Sequence, residues 1–380
     1  MTTQTKRPVK ALRGRSLRFY FLLGITLFLL VFGLAMVASA SAADSVRAGD
    51  SAAGVFLRQA VIALVGVIAG FVAFLLPLKS LKSVALFVLF ATLGLQVLTV
   101  LFGADINGNR NWLALGPIGN VQPSEFLKVG LILGLAWLLS RLGSDHFINR
   151  RVWFGIAASS GLGLLLVAIL GRDLGTGVVM IFIVLGMLFL GGVSLIKLTA
   201  ATGVLGILAI AVMQTSASRR ARLNAWLFPD AADPMGINWQ YQHGTWALAE
   251  GGLFGVGPGR SKLKWSWIPE VENDFIFAII GEEWGFFGAL LIILVFIALA
   301  VTLFVIARDQ TDVFARNVVS GVMIWIVVQA FVNIAVVVGL LPVLGVPLPL
   351  ISAGGSSLLA ILTAIGIVLG IERQRIVSRV

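Results

Sequence analysis

Four short segments of this chain hold most of the residue types that could do chemistry. In the first, Asn107-Gly108-Asn109-Arg110-Asn111-Trp112 is followed by Gln122-Pro123-Ser124-Glu125-Phe126-Leu127-Lys128. Gly and Asn predict a turn, and Ser124 is placed to cap the helix that follows. Glu125 and Lys128 are three apart and share one helical face. That pair reads equally as an ion pair orienting its helix and as a cation, Lys128, placed for a phosphate. The second segment, Arg172-Asp173-Leu174-Gly175-Thr176-Gly177, reads as a tight turn with Asp173 as a helix cap. The third runs from GGLFGVGPGRSK (Gly251–Lys262) to IPEVENDFIF (Ile268–Phe277). Its glycines can offer backbone N–H groups to phosphate, with Arg260, Lys262 and Lys264 adding positive charge. Of its carboxylates, Glu270 and Glu272 read as solvated loop charges, while Asp274 reads as a helix N-cap or as a catalyst. The fourth, PLPLISAGGSS (Pro347–Ser357), is a stiff turn leading into the last helix and contains Ser352 and Ser356.

The elements that must position these groups are membrane helices. The chain is 59% hydrophobic and only 12% charged, with mean hydropathy +1.02, whereas a soluble domain is about half apolar and a quarter charged. A bilayer core needs about 20 apolar residues per helix. Ten stretches qualify: Phe19–Ala40, Phe56–Pro77, Val84–Phe102, Glu125–Ser140, Val152–Leu170, Leu174–Gly192, Leu198–Gln214, Phe275–Ile306, Val318–Leu341 and Ser356–Ile371. The fold class expected is therefore an all-α integral membrane protein. Residues 1–18 form a basic arm, 19–371 a single membrane domain, and 372–380 a tail. Basic residues, an apolar run and Ala38-Ser39-Ala40 imitate a secretory signal, but the run exceeds the usual ~7–15 residues, so it reads as an uncleaved span.

Ten spans put both termini on one side. With that side cytoplasmic, 17 of the 28 Lys and Arg lie inside, against four of the 17 carboxylates: Asp145, Asp309, Asp312 and Glu372. This is the positive-inside pattern. The net charge of +11 thus reports orientation, and nucleic-acid binding is not supported. On the outer side lies one long polar segment, 215–274, in which Arg219, Arg220, Arg222, Leu223, Trp226 and Leu227 predict a short interfacial helix. Lys128 falls inside the fourth span, where ionisable groups are functional candidates by default. Glu282 and Glu283 lie two turns into the eighth, and one of them is expected to tie down a cation. Cysteine is absent and there are two histidines; this excludes disulfides and thiol nucleophiles, and makes a histidine-based zinc site a poor reading. No GxxxxGK[ST] nucleotide loop occurs.

In order and spacing, NGNRNW, QPSEFLK, DLGTG, GGLFGVGPG, IPEVENDFIFAIIGEEWGFFG and PLPLISAGGSS resemble the SEDS family (shape, elongation, division and sporulation), typified by FtsW and RodA. The resemblance covers nearly the whole chain and is closer to the division branch. Two positions depart from the pattern. Arg172 stands where the family has Pro, and Ala353 where it has Tyr.

The resemblance implies a peptidoglycan glycosyltransferase that polymerises lipid II at the outer face of the cytoplasmic membrane, in division or elongation. A sugar hydroxyl would attack the donor's anomeric carbon as the lipid pyrophosphate leaves. That needs a base and cationic help. Asp274 matches the family's essential acidic position. Arg110, Lys128, Arg260, Lys262, Ser352 and Ser356 are the expected substrate contacts, with Glu125, Asp173 and Glu283 in support. A divalent cation, Mg or Mn, could assist at the pyrophosphate, although no ligand spacing identifies one. The implied partners are lipid II and the nascent glycan strand, a single-span class B penicillin-binding protein, and other divisome or elongasome membrane proteins. A lipid II flippase and a non-catalytic scaffold are the alternative functions.

Overall fold

The computed structural model describes residues 16–377 except 48–52, 107–108, 115, 117–118, 143–149, 215–216, 229–236, 263 and 265–270. The basic arm up to residue 15, the Asn107-Gly108 turn, Asp145 and Glu270 lie outside the described residues. Twelve helices are described: α1 (Leu17–Arg47), α2 (Gly54–Leu75), α3 (Leu78–Phe102), α4 (Pro123–Leu139), α5 (Arg150–Leu164, continuing as a π-helix over Leu165–Leu170), α6 (Leu174–Leu190), α7 (Leu195–Gln214), α8 (Ala217–Leu227), α9 (Ile237–Gly251), α10 (Ile276–Arg308), α11 (Val313–Val337) and α12 (Gly355–Val377). The ten expected spans fall on α1–α7 and α10–α12. Seven of these are long and apolar enough to cross a membrane, and α4, α6 and α7 are shorter.

Helix α4 is short because it is central. Fourteen of its 17 residues are buried, so it is apolar all round, and Pro123 fixes where it starts by standing at its first turn. Helix α8 covers the residues expected to form a short helix on the outer side. Helix α9 was not anticipated, since residues 237–251 have neither the length nor the apolarity of a span. It packs along α10, where a Cβ on Gly251 would lie 2.0 Å from the Gly281 carbonyl. The structure also adds a small antiparallel sheet to the all-α expectation: β1 (Ala104–Ile106), β2 (Asn109–Ala114) and β3 (Asn120–Val121), in that spatial order. Ala104 pairs with Trp112, and Leu113 with Val121.

Helices α2 and α12 approach backbone to backbone. Each carries a GxxxG step, Gly66/Gly70 and Gly366/Gly370, and a Cβ on Gly366 would lie 2.1 Å from the Gly70 carbonyl. Small residues provide such contact where no hydrophobic effect drives helices together in lipid.

Ionic contacts gather at one end of the bundle. Ser16 Oγ donates to Glu372 Oε1 at 2.7 Å, and Arg375 Nη2 meets the same oxygen at 2.6 Å. Arg18 pairs with Asp309, and Lys82 with Asp312. These contacts bring the start of α1, the start of α3, the α10–α11 turn and the end of α12 together. The start of α1 and the end of α12 therefore lie on the same side, as an even span number requires. The sheet, the α5–α6 turn, the segment before α10 and the α11–α12 loop occupy the opposite end.

Candidate active site

Asp274 stands at that opposite end, in the turn 271–275 that leads into α10. It is not the helix cap. The N-cap is Phe275, which makes no side-chain cap bond; its fully buried ring anchors the start of the helix one residue beyond Asp274. The capping reading of Asp274 is thus corrected. Asp274 is half-buried. Its carbonyl accepts from Asn333 Nδ2 of α11 at 2.8 Å, and the same amide donates to Val346 O at 2.8 Å. A Cβ on Gly345, whose φ is +70°, would lie 3.4 Å from Asp274 Oδ2, so the carboxylate rests against the α11–α12 loop. Glu272, also half-buried, accepts from the Ala353 N–H at 2.9 Å. That bond uses main chain on both sides, so the alanine at 353 keeps it as well as a tyrosine would.

The two serines of this loop are committed. Ser352 is buried and its Oγ accepts from Leu348 N at 2.8 Å, closing the loop's own turn. Ser356 is half-buried and its Oγ accepts from Gln122 N at 3.0 Å, joining the start of α12 to that of α4.

Lys128 is committed as well. Its ammonium is 1% exposed and lies 2.7 Å from Glu125 Oε1, 2.9 Å from Gln329 Oε1 and 4.8 Å from the centre of the Trp325 ring. An ammonium has three donors, and two carbonyl-type oxygens and a π-face engage them. Lys128 thus ties α4 to α11, and the pyrophosphate contact expected of it is left as a proposal. Gln329 passes the tie on, donating to Pro347 O at 3.0 Å.

Beside this lies a polar junction that sequence reasoning missed. Asn111 on β2 is fully buried; it donates to Asp173 Oδ2 at 2.7 Å and accepts from Gln96 at 2.6 Å. Gln122 Nε2 donates to the same Asp173 oxygen at 3.1 Å. Asp173 caps α6 through Thr176 N at 2.9 Å. Ser124, expected to cap α4, is instead a buried residue of its first turn, and Gln122 occupies the cap position. Arg172, just before the Asp173 cap, has φ +58°, and its guanidinium lies 3.6 Å from Asp105. Arg110 is exposed and donates to the carbonyls of Gly103 at 3.2 Å and Leu101 at 3.4 Å. It thereby meets the partial negative charge at the end of α3.

The glycine-rich segment braces a broken helix. Helix α10 is broken at Gly285, whose φ of 68° and ψ of −168° are non-helical. The break frees backbone groups, and the 252–257 loop takes them up. Val256 N donates to Glu282 O at 2.9 Å, Gly257 N to Glu283 O at 3.1 Å, and Phe286 N to Gly252 O at 2.8 Å. A broken helix at membrane depth needs such replacement partners. Two of the loop's N–H groups, those of Val256 and Gly257, are used there. Ser261 Oγ and, at 2.7 Å, Lys262 N donate to Glu282. Glu283 takes Ser39 at 2.6 Å and the buried Lys264 at 3.2 Å, so it is the carboxylate that ties down a cation. Arg260 and Lys262 remain exposed. Lys262 lies 2.8 Å from Glu250, and that bond holds the Glu250 carboxyl below its ordinary pKa and the Lys262 ammonium above it.

The structure thus brings Asp274 and Glu272 together with the 345–353 loop, and links that loop to Glu125, Lys128 and Asp173 through Gln329 and Gln122. Arg110, Arg260 and Lys262 are the exposed cations among the expected contacts. No group of three His, Asp or Glu among the described residues is arranged to hold a metal ion.

Known proteins resemble this chain in sequence and overall fold. The family model for cell cycle proteins of the FtsW, RodA and SpoVE type matches residues 20–376. The probable peptidoglycan glycosyltransferase FtsW of Mycobacterium tuberculosis is 35% identical over 360 residues, covering 94% of this chain and 68% of that protein. Stage V sporulation protein E of Bacillus subtilis is 36% identical over 354 residues, covering 92% of this chain and 95% of the relative. A chain from a peptidoglycan synthase complex superposes with a TM-score of 0.77 at 28% identity, over 94% of this chain and 98% of its own. The rod shape determining protein RodA of Thermus thermophilus gives 0.69 at 27% identity, over 93% and 96%. With its many apolar spans and this match over nearly its full length, the chain is a multi-pass membrane protein that belongs to the FtsW/RodA/SpoVE family of cell cycle proteins.

Proposed function

We propose that the protein is a peptidoglycan glycosyltransferase of the FtsW type, which polymerises lipid II into glycan strands during septal division or elongation. The observation that carries the reading is Asp274. It is a half-buried carboxylate held between the start of α10 and the Gly345–Val346 turn, at the end of the bundle opposite the start of α1 and the end of α12. In the reaction, an acceptor sugar hydroxyl attacks the donor's anomeric carbon. A glycosidic C–O bond forms, the bond from that carbon to the pyrophosphate oxygen breaks, and undecaprenyl pyrophosphate leaves with the electron pair. Asp274 accepts the hydroxyl proton. Arg110, Arg260 and Lys262 supply the positive charge that the leaving pyrophosphate needs. A Mg or Mn ion, if used, would sit on pyrophosphate oxygens, which are hard ligands suited to it.

The excess of Lys and Arg at the end where α1 starts and α12 ends supports a reading in which that end faces the cytoplasm and Asp274 faces the outer surface of an inner membrane, where lipid-borne sugars lie. In this cysteine-free chain, Arg260→Cys should react with an impermeant thiol reagent in spheroplasts and Lys79→Cys should not. Reversed labelling would put the site on the wrong side. A flippase would instead need ionisable groups lining a path; Glu125–Lys128 and Glu283–Lys264 are paired with each other and bind helices and loops together.

The proposed partner is a single-span class B penicillin-binding protein, alongside other division or elongation proteins. The match to a chain of a peptidoglycan synthase complex supports it. The purified protein, with its partner and lipid II, should produce long glycan strands. Lipid movement across vesicles without strand synthesis would favour the flippase, and neither activity would favour the scaffold.

A further inference from the structure

Two amides, Gln329 and Asn333, sit one helical turn apart on α11, at 0% and 1% exposure. Burying primary amides is costly unless their polar atoms are paired. Their spacing puts them on one face, and they grip consecutive carbonyls: Asn333 takes Val346 O at 2.8 Å, and Gln329 takes Pro347 O at 3.0 Å. Asn333 uses its other hydrogen on Asp274 O, at 2.8 Å. One nitrogen thus joins the residue before α10 to the turn after α11.

Neither amide can turn round. Gln329 Oε1 accepts from Lys128 Nζ at 2.9 Å and Trp325 Nε1 at 2.7 Å, both donors only, so its NH2 group must face the loop. Asn333 faces two carbonyl oxygens and must aim its NH2 group at them. Its own Oδ1 is then left buried without a hydrogen-bond partner among the described residues. An apolar side chain would carry no such orphan acceptor. Packing alone does not account for asparagine at this position, whereas a neutral side chain with two donors on one nitrogen does.

We propose that Asn333 is a positioning residue for glycosyl transfer. It holds Asp274 against the Gly345–Val346 turn so that the carboxylate keeps one place, while Gln329, oriented by Lys128, holds the next carbonyl of that turn. The inference rests on Asp274 being the base, and neither amide touches substrate.

The test is strand synthesis from lipid II by the full-length protein with its partner, rates being taken per monodisperse molecule beside its melting temperature. Asn333→Leu, similar in its branched shape though larger, should lower kcat about 10–100-fold while KM changes less than about threefold. Adding Asn333→Leu to Asp274→Asn should slow the reaction no further than about twofold, because residues acting as a unit do not give additive penalties. If Asn333→Leu does not yield monodisperse protein, Asn333→Ser, too short to reach both carbonyls, is read by the same criteria. A kcat within twofold of wild type overturns the inference, and so do penalties that multiply in the double variant. Asp274→Asn by itself judges the base assignment: if it is active, that assignment fails and this inference with it. If it is inactive while Asn333→Leu is not impaired, only the positioning role fails.

Discussion

The Lys128 ammonium and the Glu125 carboxylate meet at 2.7 Å near the start of α4, with both side chains almost wholly excluded from solvent. They lie three residues apart on one helix, and Lys128 also reaches Gln329 and Trp325 on α11. Through Gln329 the pair supports the loop against which Asp274 rests. A buried pair of this kind is worth little against an apolar replacement of the same shape, but costs about 3–5 kcal/mol when one partner alone is removed.

That asymmetry gives a test of Lys128. Lys128→Met should leave a buried carboxylate and sharply reduce folded yield and melting temperature. Glu125→Gln with Lys128→Met should recover most of the stability and, with it, much of the strand synthesis. Recovery of folding without activity would return Lys128 to pyrophosphate binding.

Asp274→Asn should leave membrane insertion and thermal stability nearly unchanged, because the residue is not the cap of α10. Strand synthesis should fall about 10²–10⁴-fold, the usual loss on removing a general base. Glu272→Gln should be mild, since it is the Glu272 main-chain carbonyl that bonds Ala353. Near wild-type polymerisation by Asp274→Asn would end the catalytic assignment.

Gly285 occupies a backbone region essentially reserved for glycine, where other residues carry strain of about 1–3 kcal/mol. A Cβ there would also lie 2.3 Å from Gly255 N, so the loop that satisfies the broken helix would be pushed away. Gly285→Ala should lower the melting temperature more than Gly288→Ala, whose added Cβ would meet chiefly the Trp284 side chain of its own helix. Equal effects of the two would show that the break carries no special demand.

Arg172 holds φ at +58°, which proline, locked near −65°, cannot adopt. The family's proline at this position is therefore incompatible with the backbone found here. Arg172→Pro should destabilise the chain by several kcal/mol. Arg172→Gly should be neutral or stabilising by up to about 1–2 kcal/mol, the strain of a left-handed L-residue. Melting temperatures of the two variants decide it, and a well-folded Arg172→Pro would refute the local conformation.

Much of the architecture follows from local pattern. An apolar run commits its residues to a helix wherever the rest of the chain lies, which is why the ten apolar helices, seven of them of span length, and the helical stretch at α8 could be read directly. Asp274 was legible in the same way, as an acidic residue closing a polar segment beside a span. The junction of Asn111 with Asp173 and Gln122, the grip of Asn333 on Asp274, and the break at Gly285 were not. Each depends on a partner far away in the chain, as with Lys128 and Gln329, 201 residues apart. Periodicity reports which face a residue occupies and nothing of what lies opposite. Only helix packing decides whether a buried polar group is a ligand site or a strut, because inside a bilayer each such group must take the nearest partner the bundle supplies.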